Sequence, residues 1–216
     1  MYRGVKFGEF HTAADWDMSL AEKSIEPPKP KTKTISIDGR DGDIDLSESL
    51  GVLRYDNRSL SFKFELLDGT YQQRLDTISA VLRHVHGKRL SVTLDDDSDY
   101  YFIGRCTVKS HENNRAMGTI EIEVDADPYR LKVVDTVRTA SVIGDSVDVV
   151  CQNLGMKTVV PVITVTGNVA ITFDGVTNSL ETGSYEINTI KFSPGDNYIH
   201  VSGTGDVVFT FQEARF

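Results

Sequence analysis

From Leu60 to Leu66 the chain alternates strictly. Leu60, Phe62, Phe64 and Leu66 take every second position, and Ser61, Lys63 and Glu65 lie between them. A period of two sends successive side chains to opposite faces of an extended strand, so this stretch offers four apolar side chains to one face of a sheet. The period recurs in Leu90, Val92 and Leu94, and in Ile120, Ile122 and Val124 set between Thr119, Glu121 and Glu123. It is weaker at Val5 and Phe7, and it also describes Ile35 and Ile37 beside Thr34 and Ser36. Asp38-Gly39 and Asp41-Gly42 then crowd turn formers into five residues, where a chain must bend sharply. Residues 35–65 thus read as strand, acidic turn, strand, polar loop and strand, with no nucleophile, metal cluster or phosphate loop among them.

One segment breaks the period. Tyr71, Leu75, Ile78, Leu82 and Val85 recur at spacings of four and three, which predicts a helix over residues 71–86 with one apolar stripe. Thr70 with Gln73 resembles a capping box, and Gly87 stands where a helix stops, with His84, His86 and Lys88 near the negative end of its dipole. The stripe spans two heptads, so it is expected to pack on a sheet and to bury Leu75, Ile78 and Leu82. Trp16, the single tryptophan, is expected to be buried.

Composition shifts near residue 130. Residues 1–128 hold 17 Lys+Arg and 23 Asp+Glu, whereas residues 129–216 hold 6 and 9. A domain boundary is expected between Pro128 and Thr136. Beyond it, strands are predicted at 159–165, 169–173, 185–190, 198–201 and 207–211. Turns are predicted at Gly167-Asn168, Asp174-Gly175, Pro194-Gly195 and Gly203 to Gly205. Short strands between glycine turns indicate a β-sandwich or barrel. The expected fold is mainly β: an N-terminal sandwich or barrel with one helix, then a C-terminal β-sandwich.

The net charge of -9 argues against wrapping DNA on a basic surface and leaves room for DNA that passes without being held. The opening MYRGVKFGEF has no apolar core of a signal peptide, and no run approaches the roughly 18 apolar residues of a membrane helix. Cys106 and Cys151 are far apart and read as free thiols of a reducing cytosol. Asp95, Asp97 and Asp99 have the first three spacings of a calcium loop, but Tyr100 stands where glycine is needed and Cys106 where glutamate is. Asp38, Asp41, Asp43 and Asp45 also lack that pattern and read as a hairpin turn or subunit-contact loop. His84 and His86, two apart, make a poor zinc pair. No Gly-x-Ser-x-Gly occurs, and neither cysteine has a motif-level link to a histidine. No catalytic, cofactor or metal residue is assigned, and no enzyme is expected. Tyr185, Phe192 and Tyr198 are candidates for stacking on sugar, with core packing the commoner role of such residues. Pro27, Pro28 and Pro30 stiffen residues 27–33 into an extended segment, either a connector or an arm that reaches a neighbouring subunit.

Several of these residues carry a family likeness. The run Ile37-Asp38-Gly39-Arg40-Asp41-Gly42, then Ile44-Asp45-Leu46-Ser47, then Tyr55-Asp56-Asn57-Arg58 and the phenylalanine strand resemble the distal tail proteins of siphophages. His86-Gly87-Lys88, the acidic turn before Tyr100-Tyr101, Gly104-Arg105 and Asp127-Pro128-Tyr129-Arg130 follow in the family's order, so the resemblance covers residues 1–130. Asn153-Leu154-Gly155, Pro161-Val162-Ile163, Gly195-Asp196-Asn197 and Phe209-Thr210-Phe211 resemble, less specifically, the galectin-like or carbohydrate-module-like second domain of many such hubs. The resemblance implies a ring-forming hub domain over 1–130 and a galectin-like β-sandwich over 131–216. It implies a homo-hexameric ring, single or stacked, at the virion tail tip, assembled in the bacterial host cytoplasm and free of membrane. The implied partners are a tail tube protein, a tail-associated fibre-like protein and receptor-binding proteins, with DNA passing through an acidic lumen. Subunit contacts are expected at Pro27, Pro28, Pro30, Asp38, Arg40 and Asp41. The rivals are a carbohydrate-binding module acting through the C-terminal sandwich and a glycan-degrading enzyme with a carboxylate pair.

Overall fold

The computed structural model describes residues 4–49 and 51–216; Met1, Tyr2 and Arg3, in the weakly alternating opening segment, and Leu50, in the polar loop, lie outside them. The chain divides into two compact units, Met1–Arg130 with Phe216, and Leu131–Arg215. The fold is mainly β.

The first unit contains β1 (Val5–Phe7), β2 (Phe10–His11), α1 (Thr12–Trp16), β3 (Ser19–Ile25), β4 (Thr34–Ile35), β5 (Ile44–Asp45) and β6 (Arg58–Leu66). It continues with α2 (Tyr71–Val85), β7 (Arg89–Leu94), β8 (Asp97–Asn113) and β9 (Gly118–Ala126). Its main sheet runs β2-β1-β7-β8-β9-β6-β3, and the neighbours pair antiparallel. Leu60, Phe62, Phe64 and Leu66 are buried, as are Ile120, Ile122 and Val124 opposite them in register. The rings of Phe7 on β1 and Phe62 on β6 meet edge to face, with centroids 6.0 Å apart. Three strands lie between β1 and β6, so a flat sheet would separate them by about 19 Å. The sheet is therefore curled around its core, and Trp16 and Met18 join that core.

Helix α2 begins at the expected cap: Gln73 N donates to Thr70 Oγ1 and Gln73 Oε1 accepts from Thr70 N. It ends at His86, before Gly87 at φ +76°. Its buried face differs from the expected stripe. Arg74, Ile78, Val81 and Val85 are buried, Leu75 and Leu82 are half-buried, and Tyr71 is exposed. The face is turned toward Val81 because Arg74 is satisfied within the fold. Arg74 donates to Gly69 O at 2.6 Å, Asn113 Oδ1 at 3.0 Å and Asn114 O at 2.7 Å. A charged group so bonded is buried at little cost, and its stem covers core surface. The five-residue α1 was not expected; its start is capped by the His11 ring, as described below. Residues 35–37 were expected as a strand, but only Thr34 and Ile35 pair, with Asp45 and Ile44, and Ile35 and Ile37 are exposed.

Two pairs of landmarks have a packing reason. Gly87 N donates to Cys106 O and Cys106 N to Lys88 O, so the end of α2 is laid on β8. A Cβ on Gly104 would come within 2.6 Å of Val124 Cγ1 and 2.7 Å of Ala126 Cα, which leaves room for glycine alone.

The second unit follows β10 (Arg130–Lys132) and holds β11 (Thr136–Asn153), β12 (Val162–Phe173), β13 (Val176–Leu180), β14 (Gly183–Glu186), β15 (Gly195–Phe211) and β16 (Ala214–Arg215). Its sheet runs β11-β15-β12-β13, and β14 pairs with the first part of β12. Ile163, Val165, Val169, Ile171 and Phe173 of β12 and Ile199, Val201, Val207, Phe209 and Phe211 of β15 form one buried cluster, to which Ile190 and Phe192 add. The expected turns at Gly167-Asn168 and Gly203 to Gly205 are corrected: both strands run through these glycines, which face each other as Gly167↔Gly205, Asn168↔Thr204 and Val169↔Gly203. The backbones approach so closely there that a Cβ on Gly167 or Gly203 would lie 2.5 Å from a carbonyl oxygen across the pair. Glycine marks close approach here, not chain reversal. Asp174-Gly175 is a turn, with both residues at positive φ. β11 and β13 were unforeseen, the strand expected at 185–190 ends at Glu186, and the one expected at 159–165 begins at Val162.

Candidate functional site

Strands β3 and β6 pair from Ser19↔Glu65 to Ile25↔Leu60, and their chains keep pairing beyond the sheet. Glu26 N donates to Ser59 O at 3.1 Å, Asp56 N to Lys29 O at 2.8 Å and Lys31 N to Arg54 O at 2.8 Å. The last two bonds flank Pro30, which faces Tyr55 and is never asked for the N–H it lacks. Further out, Leu46 N donates to Lys33 O, Lys33 N to Ser47 Oγ, and β4 pairs with β5. Gly39 at φ +81° and Gly42 at φ +75° turn the tip. The described residues of 26–49 and 51–57 therefore form a two-stranded ribbon held mainly by its own hydrogen bonds, not by a core.

Of the expected contact residues, Pro27, Pro30, Asp38, Arg40 and Asp41 are exposed. Pro28 is buried, and so is a packing residue of the ribbon's base. The proline segment pairs with residues 54–56 of its own chain, so it also serves as an intrachain connection. The limbs carry Lys29, Lys31 and Lys33; the tip is acidic, with Asp38, Asp41, Asp43 and Asp45 around Arg40. Asp45 accepts from the Ser47 hydroxyl at 2.5 Å and from Ser47 N at 2.8 Å, which holds its carboxyl below the usual range.

Arg58 fixes the base. It is buried, its Nε donates to Glu26 O at 2.7 Å, and its guanidinium lies 5.3 Å from the centroid of Phe102. Burial, and then the charge of Arg130, hold its pKa below the usual arginine value. Beside it, the Tyr129 ring stacks on Phe216 at 4.9 Å, and Tyr55 meets Phe216 at 4.5 Å.

The other candidates do not come together. Asp95 Oδ2 accepts from Gly4 N at 2.7 Å and its Oδ1 faces His11 Nε2 at 2.9 Å, while Asp96 pairs with Lys23 and Asp97 with Arg130. These carboxylates are taken by donors of the same chain, and no group of three metal-ligating side chains occurs among the described residues. Cys106 and Cys151 are buried, and burial pushes both thiols up to about 12, far from a thiolate nucleophile. Phe192 is fully buried against Phe173, Phe209 and Phe211, so it is corrected from sugar platform to core residue. Tyr185 packs at the edge of that cluster, and Tyr198 is exposed, opposite Val150.

Sequence reasoning named Arg58 only within a landmark run, without a role, and missed Arg74 and His11. Arg58 was findable, since it takes a core-side position in the alternation of β6. His11 caps α1 by accepting at Nδ1 from Ala13 N and Ala14 N, which leaves the Nε2 proton for Asp95. A cap by imidazole has no sequence signature.

No family model and no curated protein matches the sequence. Solved structures do. The chain is similar to the Dit protein (gp 19.1) of phage SPP1, with a TM-score of 0.68, 16% identity and coverage of 98% of this chain and 99% of that one. That protein is described as a paradigm of the hub adsorption apparatus of phages infecting Gram-positive bacteria. At this identity the likeness shows a shared fold. A chain of the phage p2 baseplate, in its activated conformation with Sr, matches with a TM-score of 0.46 at 6% identity over 100% of this chain and 99% of that one.

Proposed function

We propose that this chain is a structural subunit of a phage or tail-derived particle, a tail-tip hub that joins the tail tube to the host-adhesion device. Six copies form a ring through the first unit, and DNA passes through its lumen without being gripped. The second unit is a galectin-like β-sandwich. The tail tube protein and a tail-associated fibre-like protein are its neighbours, and it catalyses no reaction. Supporting this reading are the fold shared with SPP1 Dit, itself a hub protein, and the net charge of -9, which repels DNA.

The ribbon carries it. A two-stranded excursion of exposed side chains has no core to stabilise it, and isolated hairpins are marginal in water. Its acidic tip and lysine-bearing limbs fit head-to-tail contact, in which the tip of one copy meets the limbs of the next. A ribbon already paired loses less entropy on docking than a flexible loop.

The test reverses the tip charges in the full chain, Asp38→Lys with Asp41→Lys. Native mass spectrometry of the unaltered protein is expected to give a closed ring, and the variant is expected to melt normally yet stay in small species. Rings that survive the reversal, or an unaltered protein that never rises above a dimer even with a tail tube partner, would overturn the proposal.

A further inference from the structure

Helix α2 and the base of the ribbon each bury an arginine, and the two are satisfied differently. Arg74 meets an acceptor at every nitrogen of its guanidinium: Asn113 Oδ1 at Nε, Gly69 O at Nη1 and Asn114 O at Nη2, all within 3.0 Å. Arg58, only 7% exposed, makes one bond of that quality, from Nε to Glu26 O at 2.7 Å. Its Nη1 reaches Pro128 O at 3.5 Å, the limit of a hydrogen bond, and among the described residues no acceptor takes its Nη2.

A second cation stands next to it. Arg58 lies 5.3 Å from the ring centroid of Phe102, and Arg130 lies 5.0 Å from that of Tyr100, two positions earlier on β8. Arg130 pairs with Asp97, yet its Nε is buried without an acceptor. Arg54 is also near: burial and then Tyr55 raise the Tyr129 phenol, and the charge of Arg54 partly offsets them. Among the described residues, Asp97 is the one carboxylate that pairs with any of these three arginines, in a chain of net charge -9. The crowding is felt at Arg58, whose guanidinium is depressed by burial first and by Arg130 second.

A buried cation beside a like charge is costly unless acceptors surround it. Here a carbonyl and a ring face supply only part of them. We infer that Arg58 and Arg130 form a binding site for one oxyanion, a carboxylate or phosphate group, at the foot of the ribbon. A guanidinium offers such a group two N–H donors in one plane, and two guanidiniums on neighbouring rings can grip it from two sides. Phe102 and Tyr100 hold both cations in place beforehand, which lowers the entropy lost on binding. Tyr55, Tyr129 and Phe216 pack together beside them, and a weakly polar wall strengthens any charge pair made there. Arg130, half-buried, gives the way in. The exposed Lys29, Lys31 and Lys33 of the limbs have none of this enclosure.

Thermal melting of the full-length protein in sodium phosphate and in sodium acetate, each against sodium chloride at equal ionic strength, tests this. An anion bound by the folded state alone raises the melting temperature as its concentration rises. Millimolar phosphate is expected to raise it above the chloride value. A similar rise in acetate assigns a carboxylate such as a partner's acidic side chain, and a rise in phosphate alone assigns a phosphate group. Arg130→Gln is expected to weaken binding by roughly tenfold or more, the loss of one hydrogen bond to a charged group. Asp97→Asn is expected to strengthen it, because Arg130 loses its own carboxylate; an ion pair that served structure alone would lower the starting melting temperature without changing the response to phosphate. Arg89→Gln, whose partner is Asp127, is the control and should respond as the unaltered protein does. Equal melting in all three salts, a response that Arg130→Gln leaves intact, or one that Asp97→Asn leaves unchanged or weakens would overturn the inference. None of these readings depends on whether the chain closes a ring.

Discussion

Phe62 with Phe64, and Ile35 with Ile37, are written alike: two large apolar residues two positions apart in a polar setting. The first pair is fully buried, and the second is exposed. The difference lies in what stands opposite. Phe62 and Phe64 face Ile122 and Ile120 across the ladder and receive Phe7 from the far side of the curled sheet. Among the described residues, Ile35 pairs with Ile44 alone, in a two-stranded sheet of two residues a side. Alternation states that a face is apolar; it does not state that anything covers it. One region is held by a packed core and the other mainly by hydrogen bonds along its own strands, so their substitutions should separate cleanly.

The largest expected effect is in the sheet. Phe62→Ala should cost about 3–5 kcal/mol of stability, read by denaturant unfolding. A loss below about 1 kcal/mol would mean that the curled sheet is not packed as described.

Next comes Arg74→Ala. It removes a buried cation that three acceptors within 3.0 Å share and should cost about 2–3 kcal/mol by the same measurement. Arg74→Lys should rescue little of it, because one ammonium cannot reach all three acceptors.

On the same helix, Ile78→Ala should cost about 2–5 kcal/mol, and Leu82→Ala, half-buried, about 1 kcal/mol. Equal losses would restore the stripe centred on Leu75, Ile78 and Leu82 that spacing alone suggests.

In the ribbon, Ile37→Ala should change protomer stability by less than about 0.5 kcal/mol. Its effect should appear in the ring fraction by native mass spectrometry. Loss of fold with no change in assembly would reverse the comparison.

Smallest is a proton effect at the tip. The folded carboxyl of Asp45 lies below its ordinary 3.8, so its bonds to Ser47 are complete above that value and are lost as pH falls through the lower folded one. The Ser47 amide resonance should therefore titrate in acid below pH 3.8, with no shift in the melting temperature at neutral pH. Asp45→Asn should abolish that titration.

What the sequence determined by itself was local: which residues alternate, where a helix is capped and stopped, and where Asp-Gly pairs turn the chain. The strands β6, β7 and β9, helix α2, and the turns at 38–42 and 174–175 follow from those rules, because each depends on neighbours a few residues away. Residues 26–57 were legible as strands, turn and prolines, but their union into one ribbon was not. That union depends on rungs such as Lys31 to Arg54, 23 positions apart, between residues with no apolar pattern. Tertiary structure alone decided that Gly167, Gly203 and Gly205 lie within strands. A glycine needed for backbone approach and one needed for a turn are the same letter, and only the strand across from it tells them apart. It also decided which side of α2 is inward, since the acceptors that bury Arg74, on Asn113 and Asn114, come from the end of β8 and the residue after it, about forty positions away.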